Sequence, residues 1–347
     1  MDLDFLFYDF LTKPIWMWLL FVVIVLMLLT FDLGVLHRKD HEIGVAESLK
    51  LSAMYIALGV SFSGFVWWSF DYQIAGAAPQ VAATMMTGAE AAKRYLTAFV
   101  VEKTLAMDNV FVIAMIFTYF AIPRLYQHRV LFWGILGVIV LRGIMIGLGA
   151  TLVAQYYWVL YIFAVFLMLT GVKMLLVGDQ PMDIGKNPVL KFMQRRMNLT
   201  DELHGNKFFV RKPHPRTGKL VRFATPLFLA LIMIEIADVV FAVDSVPAVF
   251  AITSDPFIVY TSNIFAILGL RALYFALAAV IHRFHYLKYA LAILLVFIGS
   301  KIFIADLLGM EKFPASISLG VTFAILGSGI GYSLWKTRSA EAARPAV

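Results

Sequence analysis

Two stretches of this chain, EKTLAMDNV at 102–110 and DVVFAVDSV at 238–246, share one acidic pattern. In order along the chain, each consists of a carboxylate residue, five further residues, an aspartate, a residue with an amide or hydroxyl side chain, and a valine. Both stretches lie inside long apolar segments, where an ionised side chain costs about 2.5–3.5 kcal/mol even on insertion scales. Four acidic residues in two matching frames therefore indicate a membrane-embedded functional site.

The composition is that of an integral membrane protein. The chain has 347 residues, of which 61% are hydrophobic and 15% charged, and this is far too apolar for a soluble domain. Apolar runs of roughly 20 residues, the length that crosses about 30 Å of hydrocarbon, recur along it. The runs are continuous rather than alternating, so they predict helices and not barrel strands. We therefore expect an all-α polytopic helix bundle forming a single transmembrane domain.

Nine spans are predicted, at 15–36, 48–68, 95–117, 130–153, 157–178, 224–252, 258–281, 288–308 and 314–335. The first is expected to remain in the protein, because the segment before it is acidic where a cleavable signal peptide has basic residues. The loop at 179–223 carries ten Lys or Arg residues and includes a candidate amphipathic helix at 188–197. This loop is expected either to contact anionic headgroups or to bind a regulatory partner.

The net charge of +7 is explained by orientation and not by a nucleic-acid partner. With the N-terminus outside and the C-terminus in the cytoplasm, most of the 29 Lys and Arg residues fall on the cytoplasmic side. Only Lys13, Lys93, Arg94 and Lys312 fall in the outer loops. This distribution satisfies the positive-inside rule.

An internal repeat extends beyond the acidic frames. LRGIMIGLGA at 141–150 matches LRALYFALAA at 270–279, and TGVKMLL at 170–176 matches IGSKIFI at 298–304. The two copies, 95–178 and 224–308, each hold three predicted spans, so an odd number of crossings inverts the second copy. Inverted repeats are a common plan of secondary transporters, which bind substrate near the midplane between the repeats. A transport function follows from this arrangement.

The two copies differ in ways that bear on function. Phe111 is replaced by Pro247, and a proline within a helix frees the carbonyl four residues earlier, here that of Val243. Freed carbonyls at membrane depth can coordinate cations. The second copy also carries Glu235 where the first has Phe99.

The candidate metal-binding set is rich in oxygen. It comprises Asp108, Asp244, Glu102, Asp238, Glu235, Asn109 and Ser245. Because the chain has no cysteine and these spans no histidine, hard cations such as Mg²⁺, Ca²⁺ or Mn²⁺ are favoured over zinc and copper. Six residues turn a helix by about 240°, so the two acids of a frame point apart. We expect Asp108 and Asp244 nearest the ion, with Glu102 and Asp238 lining the path or carrying protons.

A packing role is the alternative for these acids. They would then neutralise five basic residues within the spans, namely Lys103, Arg142, Lys173, Arg271 and Lys301. A combined role is also open, in which the bases hold the carboxylates and release them when a cation arrives. A weaker pattern is Asp32, near the inner end of the first span, followed by His37 and His41. It indicates either a cytoplasmic entrance or a solvated helix end.

EKTLAMDNVFV, IEIADVVFAVDSVPAVFAIT, NIFAILGLRALYF and FIGSKIFIAD resemble the TerC family of integral membrane proteins, and more closely its Alx-type bacterial members. The resemblance covers nearly the whole chain. It implies a bacterial inner-membrane protein of a family named for tellurite resistance, whose members are implicated in manganese export and in supplying metal to exported enzymes. Manganese as the transported substrate is therefore implied by the family, whereas the residues alone indicate only a divalent cation.

Transport and non-transport functions remain open at this point. No nucleotide-binding GxxxxGK[ST] motif is present, so a transporter would be coupled to protons or to membrane potential, without an organic cofactor. The alternative is a membrane stress or redox modulator, or a partner that delivers metal to exported proteins. A homo-oligomer or a secretion-machinery partner is possible in either case. The chain is not expected to be an enzyme, because no intramembrane protease loop motif accompanies the aspartates.

Overall fold

The computed structural model describes residues 3–11, 13–31, 45–71, 86–177, 187–213, 218–277, 287–310 and 313–342. Its helices are α1 (Ile15–Phe31), α2 (Val45–Asp71), α3 (Gly88–Tyr119), α4 (Arg124–Gln155), α5 (Val159–Val177), α6 (Pro188–Arg196), α7 (Pro226–Phe250), α8 (Pro256–Leu268), α9 (Leu270–Leu277), α10 (Leu287–Leu307) and α11 (Ala315–Ala342). Two short hairpins pair β1 (Asp9–Phe10) with β2 (Lys13–Pro14), and β3 (Phe209–Pro213) with β4 (Leu220–Ala224). The predicted all-α membrane bundle is confirmed.

Seven helical segments within the described residues are long and apolar enough to cross a membrane. They are α2, α4, α5, α7, α8 together with α9, α10 and α11. The helix α1 is apolar but has 17 residues, and α3 has 32 residues but carries several charged side chains. The count of nine spans therefore stays a prediction, although each predicted span overlaps a helix among the described residues.

The helix α8 begins at a well-formed N-cap, Asp255. Asp255 accepts hydrogen bonds from the backbone N–H groups of Phe257 and Ile258 at 2.9 and 3.1 Å, and Pro256 occupies the first helical position. Asp255 also lies 3.9 Å from Lys13, whose ammonium stands 3.5 Å from the centre of the Phe70 ring. Burial lowers the pKa of Lys13 and raises the pKa of Asp255. The segment before α1 is thereby tied to the α7–α8 turn, on the same side of the bundle.

The predicted span 258–281 is interrupted where α8 gives way to α9. The α3 side chain Lys103 donates a hydrogen bond of 2.9 Å to the carbonyl of Ala266, in the last turn of α8. A cation is favourable there because helix C-termini carry partial negative charge. Gly269 fills the break, where a Cβ atom would lie 2.6 Å from the Lys103 ammonium. The break is therefore a tertiary feature that hydropathy does not report.

The α5 and α10 helices cross through two glycines that occupy aligned positions in the predicted repeats. A Cβ atom at Gly171 would lie 2.6 Å from the carbonyl oxygen of Ala292, and one at Gly299 would lie 2.5 Å from that of Ala164. Ala164 and Ala292 are also aligned positions, so the two contacts are reciprocal. In the same way α3 packs on α8 while α7 packs on α4. This reciprocity agrees with the predicted inverted repeat, which itself stays a prediction.

The connection between α5 and α7 is partly structured. The predicted short helix is present as α6, with Asn187 capping its first turn through bonds to the N–H groups of Val189 and Leu190. The β3–β4 hairpin was not predicted, and it occupies the start of the predicted span at 224, so that α7 begins at Pro226. We call the described part of this connection, residues 187–213 and 218–225, the basic unit.

Candidate functional site

Arg142, halfway along α4, lies at the centre of the bundle with only 1% of its side chain exposed. Its Nε and Nη2 atoms donate to the two carboxylate oxygens of Asp238 on α7, at 3.2 and 3.0 Å. This paired geometry matches the planar guanidinium to the planar carboxylate and is the strongest form of such an ion pair. Arg142 and Asp238 thus join α4 and α7 deep within the bundle.

The remaining guanidinium nitrogen of Arg142, Nη1, contacts side chains of two more helices, α3 and α8. Nη1 donates to the Glu102 carboxylate on α3, to the Ser245 hydroxyl at 3.1 Å, and to the Asn263 side-chain oxygen on α8. Ser245 reaches the same group as Asp238 because seven residues make almost two full turns of α7. We call Glu102, Arg142, Asp238, Ser245 and Asn263 the central cluster.

Several buried polar atoms in and beside the central cluster have no hydrogen-bond partner among the described residues. The second carboxylate oxygen of Glu102 and the amide nitrogen of Asn263 are buried and unpartnered, as is one carboxylate oxygen of Glu235. Most buried polar atoms in proteins have a partner, so such groups call for an explanation. A water molecule or a bound cation next to the two carboxylate oxygens would satisfy them.

A cavity of about 30 Å³ adjoins the central cluster, enough for one or two water molecules. Its polar lining comes from Asn109 and Asp238, and its walls from apolar residues of α3, α4, α7, α8 and α9. Glu235 lies next to it, so close to α4 that a Cβ atom at Gly137 would collide with its carboxylate. Ile113 and Leu131 in its lining place the cavity on the side of Arg142 that faces the α3–α4 connection, which is the predicted cytoplasmic side.

Asp244 lies apart from Arg142, about one and two-thirds turns further along α7 than Asp238. Its carboxylate accepts a hydrogen bond of 3.3 Å from Thr170 on α5, and it interacts electrostatically with Lys173. Pro247 follows within the unbroken helix α7 and has no N–H to offer the Val243 carbonyl. Asp244 therefore forms a second polar position, between α5 and α7.

A family model and several relatives match this chain. The model described as "Integral membrane protein TerC family" matches residues 87–341. The chain belongs to the TerC family. No solved structure gives a significant match.

Related TerC-family chains are similar over nearly their whole length. A protein of Escherichia coli K12 named "Putative membrane-bound redox modulator Alx" is 45% identical over 314 residues, which cover 89% of this chain and 91% of the relative. An uncharacterized membrane protein of Rickettsia bellii is 45% identical over 90% of this chain and 95% of its own. One from Myxococcus xanthus is 41% identical over 93% of each chain.

Several residues predicted for the site are brought together in this TerC-family protein. Glu102, Asp238 and Ser245 meet at Arg142, with Asn109 and Glu235 at the neighbouring cavity. Asp244 is held elsewhere, by Thr170. The side chain of Asp108, and the whole pattern of Asp32, His37 and His41, lie outside what the structure describes.

The predicted charge partners have different surroundings. Arg142 pairs with two acids, and Lys173 is exposed beside Asp244. Lys103 binds the Ala266 carbonyl, while Lys301 is buried and donates to the Ser318 hydroxyl at 3.3 Å. The Arg271 side chain is outside the described residues.

Two residues of the site, Asn263 and Thr170, were not singled out from the sequence, and the central position of a third, Arg142, was not predicted. Asn263 carried a usable signal, since Thr261, Ser262 and Asn263 form a polar triplet within an apolar span. Thr170 carried none, and Arg142 was expected only as a charge partner. Among the side chains that the structure describes, no three His, Cys, Asp or Glu residues are placed to hold a metal ion together. Glu102 and Asp238 both accept hydrogen bonds from Arg142, which lies between them.

Proposed function

We propose that this TerC-family protein is a secondary transporter of divalent metal ions and that Mn²⁺ is its substrate. The observation that carries the proposal is the position of Arg142 between two carboxylates, Glu102 and Asp238, at the middle of the bundle. Intramembrane ionisable residues mark transport pathways by default. Here they come from α3 and α7, the first helices of the two predicted repeats.

The charges favour exchange of Arg142 for a divalent cation. One guanidinium between two carboxylates leaves one negative charge, which a dication in its place would neutralise. The oxygens of Asp238, Glu102, Ser245 and Asn263 that now accept from Arg142 are hard ligands of the kind that Mn²⁺ and Mg²⁺ bind. The choice of Mn²⁺ over Mg²⁺ or Ca²⁺ rests on the family resemblance.

The polar positions on either side of Arg142 suggest a path. Asn109, Glu235 and the small cavity lie on the predicted cytoplasmic side, while Asp244 and Thr170 lie further along α7. A cation would enter by the first set, displace Arg142 from the carboxylates, and leave past the second. The export is driven by a proton gradient or by membrane potential, and the protein acts without enzymatic turnover in a bacterial inner membrane with its N-terminus outside. A carboxylate-lined path repels an oxyanion such as tellurite.

A flux assay tests this proposal. Purified protein in liposomes that enclose a manganese-sensitive dye should give Mn²⁺ influx under a proton gradient or membrane potential. Glu102→Gln, Asp238→Asn, Asp244→Asn and Asp108→Asn should each reduce the rate at least tenfold, because each removes one charge from the path. Lys336→Gln, at an exposed cation near the end of α11, is the control and should keep the full rate. Full transport by the Asp244→Asn variant would exclude the proposed path.

A second function is suggested by the name of two relatives, "Putative membrane-bound redox modulator Alx". This chain has no cysteine, so it cannot modulate redox state through its own thiols. A non-transporting role would then be delivery of metal to exported proteins, in a homo-oligomer or with the secretion machinery. The absence of Mn²⁺ flux under every gradient, together with Mn²⁺ binding that depends on Glu102 and Asp238, would support that role.

A further inference from the structure

The basic unit carries a strong excess of positive charge. Its described residues include only two acids, Asp201 and Glu202. Glu202 is already paired with Lys212, whose ammonium lies 2.7 Å from its carboxylate. The basic residues of the unit are Lys191, Arg195, Arg196, Lys207, Arg211, Lys212, Lys219 and Arg222. A surface of this kind attracts anions.

The α6 helix has one buried face and one exposed face. Leu190 and Met193 are buried, whereas Phe192 is 61% exposed. Phe192 lies one turn from Arg196, whose guanidinium is 6.0 Å from the centre of its ring. Lys191 and Arg195 are exposed as well. The outward face of α6 therefore combines a large apolar side chain with three cations, as helices that lie in the headgroup layer do.

The β3–β4 hairpin repeats this combination. Leu220 is 71% exposed, and Arg211 and Lys219 are exposed near it along the two strands. The hairpin is fixed to the membrane bundle, because the Phe209 ring packs 4.4 Å from the ring of Phe228 on α7. An exposed leucine beside two cations suits the headgroup layer, where the apolar side chain can leave water while the cations stay in contact with lipid phosphates.

The packing of α6 sets its height relative to the membrane. The chain just after α6 is bonded beside the start of α7: the backbone N–H of Ala224 donates to the Asn198 carbonyl at 2.9 Å, and that of Thr200 donates to the Ala224 carbonyl at 3.1 Å. Ala224 lies two residues before α7 begins. An apolar span starts there, so α6 lies near the level where lipid headgroups begin. The positive-inside distribution assigns this side to the cytoplasm.

We propose that the basic unit binds the anionic headgroups of the bilayer in which the protein is embedded. The cations of α6 and of the hairpin pair with lipid phosphates, while Phe192 and Leu220 insert among the acyl chains next to them. A free phosphate ion would use the cations but not the two exposed apolar side chains, and it is for this reason that lipid is the assigned ligand. The proposal does not depend on metal transport.

The absence of native cysteine allows a site-specific test. A Phe192→Cys protein carrying an environment-sensitive fluorophore is placed in nanodiscs of phosphatidylcholine, with or without phosphatidylglycerol. Anionic lipid should shift the emission to the blue and reduce quenching by acrylamide, a neutral aqueous quencher. Each cation near such a surface strengthens association about fivefold. Adding Lys191→Gln, Arg195→Gln and Arg196→Gln should therefore return the probe to its aqueous signal.

Two controls make the result specific. The pair Lys288→Gln and Lys336→Gln removes cations at the cytoplasmic ends of α10 and α11 and should leave the Phe192 probe unchanged. Inorganic phosphate added to phosphatidylcholine nanodiscs should also leave it unchanged. An identical signal in both lipid compositions would overturn the proposal. So would an equal loss of response in the control pair, or a response that appears only on addition of a cytosolic protein.

Discussion

At the scale of single residues, the site depends on Arg142 and on what surrounds it. The acidic frames identified Glu102 and Asp238, because charge within an apolar span is conspicuous in any sequence. The partner of those acids could not be identified in the same way. Several bases lie within the spans, and spacing along separate helices does not tell which of them faces which acid. Only the packing of α3, α4, α7 and α8 places Arg142 between the two carboxylates.

Removal of Arg142 tests its role at this scale. In an Arg142→Gln variant, Glu102 and Asp238 would face each other without a cation, and breaking a buried pair costs about 3–5 kcal/mol. A lower thermal unfolding temperature is expected in detergent without metal. Arg142→Lys should recover only part of it, because an ammonium cannot form the paired bonds to Asp238.

Added Mn²⁺ distinguishes a competing cation from a purely structural arginine. Mn²⁺ should raise the unfolding temperature of Arg142→Gln more than that of the unmodified protein, because its competitor is gone. Lys336→Gln, at an exposed position, should respond to Mn²⁺ as the unmodified protein does. Equal Mn²⁺ responses in Arg142→Gln and the unmodified protein would mean that the cation and Arg142 do not share a site.

At the scale of elements, hydropathy predicted the helices but not their interruptions. Every predicted span overlaps a helix among the described residues, since length and apolarity are local properties of the chain. The break at Gly269 depends on Lys103, which is 166 positions earlier and bonds to Ala266. The β3–β4 hairpin has strands of five residues within a polar, basic loop, and the apolar pattern there is too short to stand out.

The α5–α10 crossing gives a prediction for this scale. Gly171→Ala and Gly299→Ala should each destabilise the protein by about 1–3 kcal/mol, because the added methyl group would press on the facing backbone. The two effects should be similar in size if the crossing is symmetric. Gly320→Ala on α11 is the control, since a Cβ atom there would have no neighbour within 4 Å. Thermal unfolding in detergent provides the measurement, and a tolerated Gly171→Ala with a disruptive Gly299→Ala would argue against reciprocal packing.

At the scale of the whole molecule, the sequence predicted the fold class and the family, while the orientation and the inverted repeat stay predictions. Apolar content and span length fix the class because a bilayer admits few alternatives. The reciprocal contacts of Gly171 and Gly299 agree with the repeat. The Lys13–Asp255 pair also places the segment before α1 beside the α7–α8 turn. Six predicted spans separate these two segments, and an even number of crossings puts both on the same side of the membrane.

Orientation can be measured with single cysteines in this cysteine-free chain. Tyr8→Cys, at a 66% exposed position before α1, should react with a membrane-impermeant maleimide in intact spheroplasts. Leu220→Cys in the basic unit should react only after permeabilisation. The reverse pattern would invert the topology and place the cavity beside Asn109 on the outer side.

The central claim is that a divalent cation takes the place of Arg142 between Glu102 and Asp238, and Mn²⁺ binding tests it most directly. Free hexaaqua Mn²⁺ has a six-line electron paramagnetic resonance signal that is lost on binding, so titration of purified protein counts the bound ions. We predict that the unmodified protein and Lys336→Gln remove Mn²⁺ from the free signal with equal affinity, whereas Glu102→Gln and Asp238→Asn bind at least tenfold more weakly. Undiminished Mn²⁺ binding by both Glu102→Gln and Asp238→Asn would contradict the account.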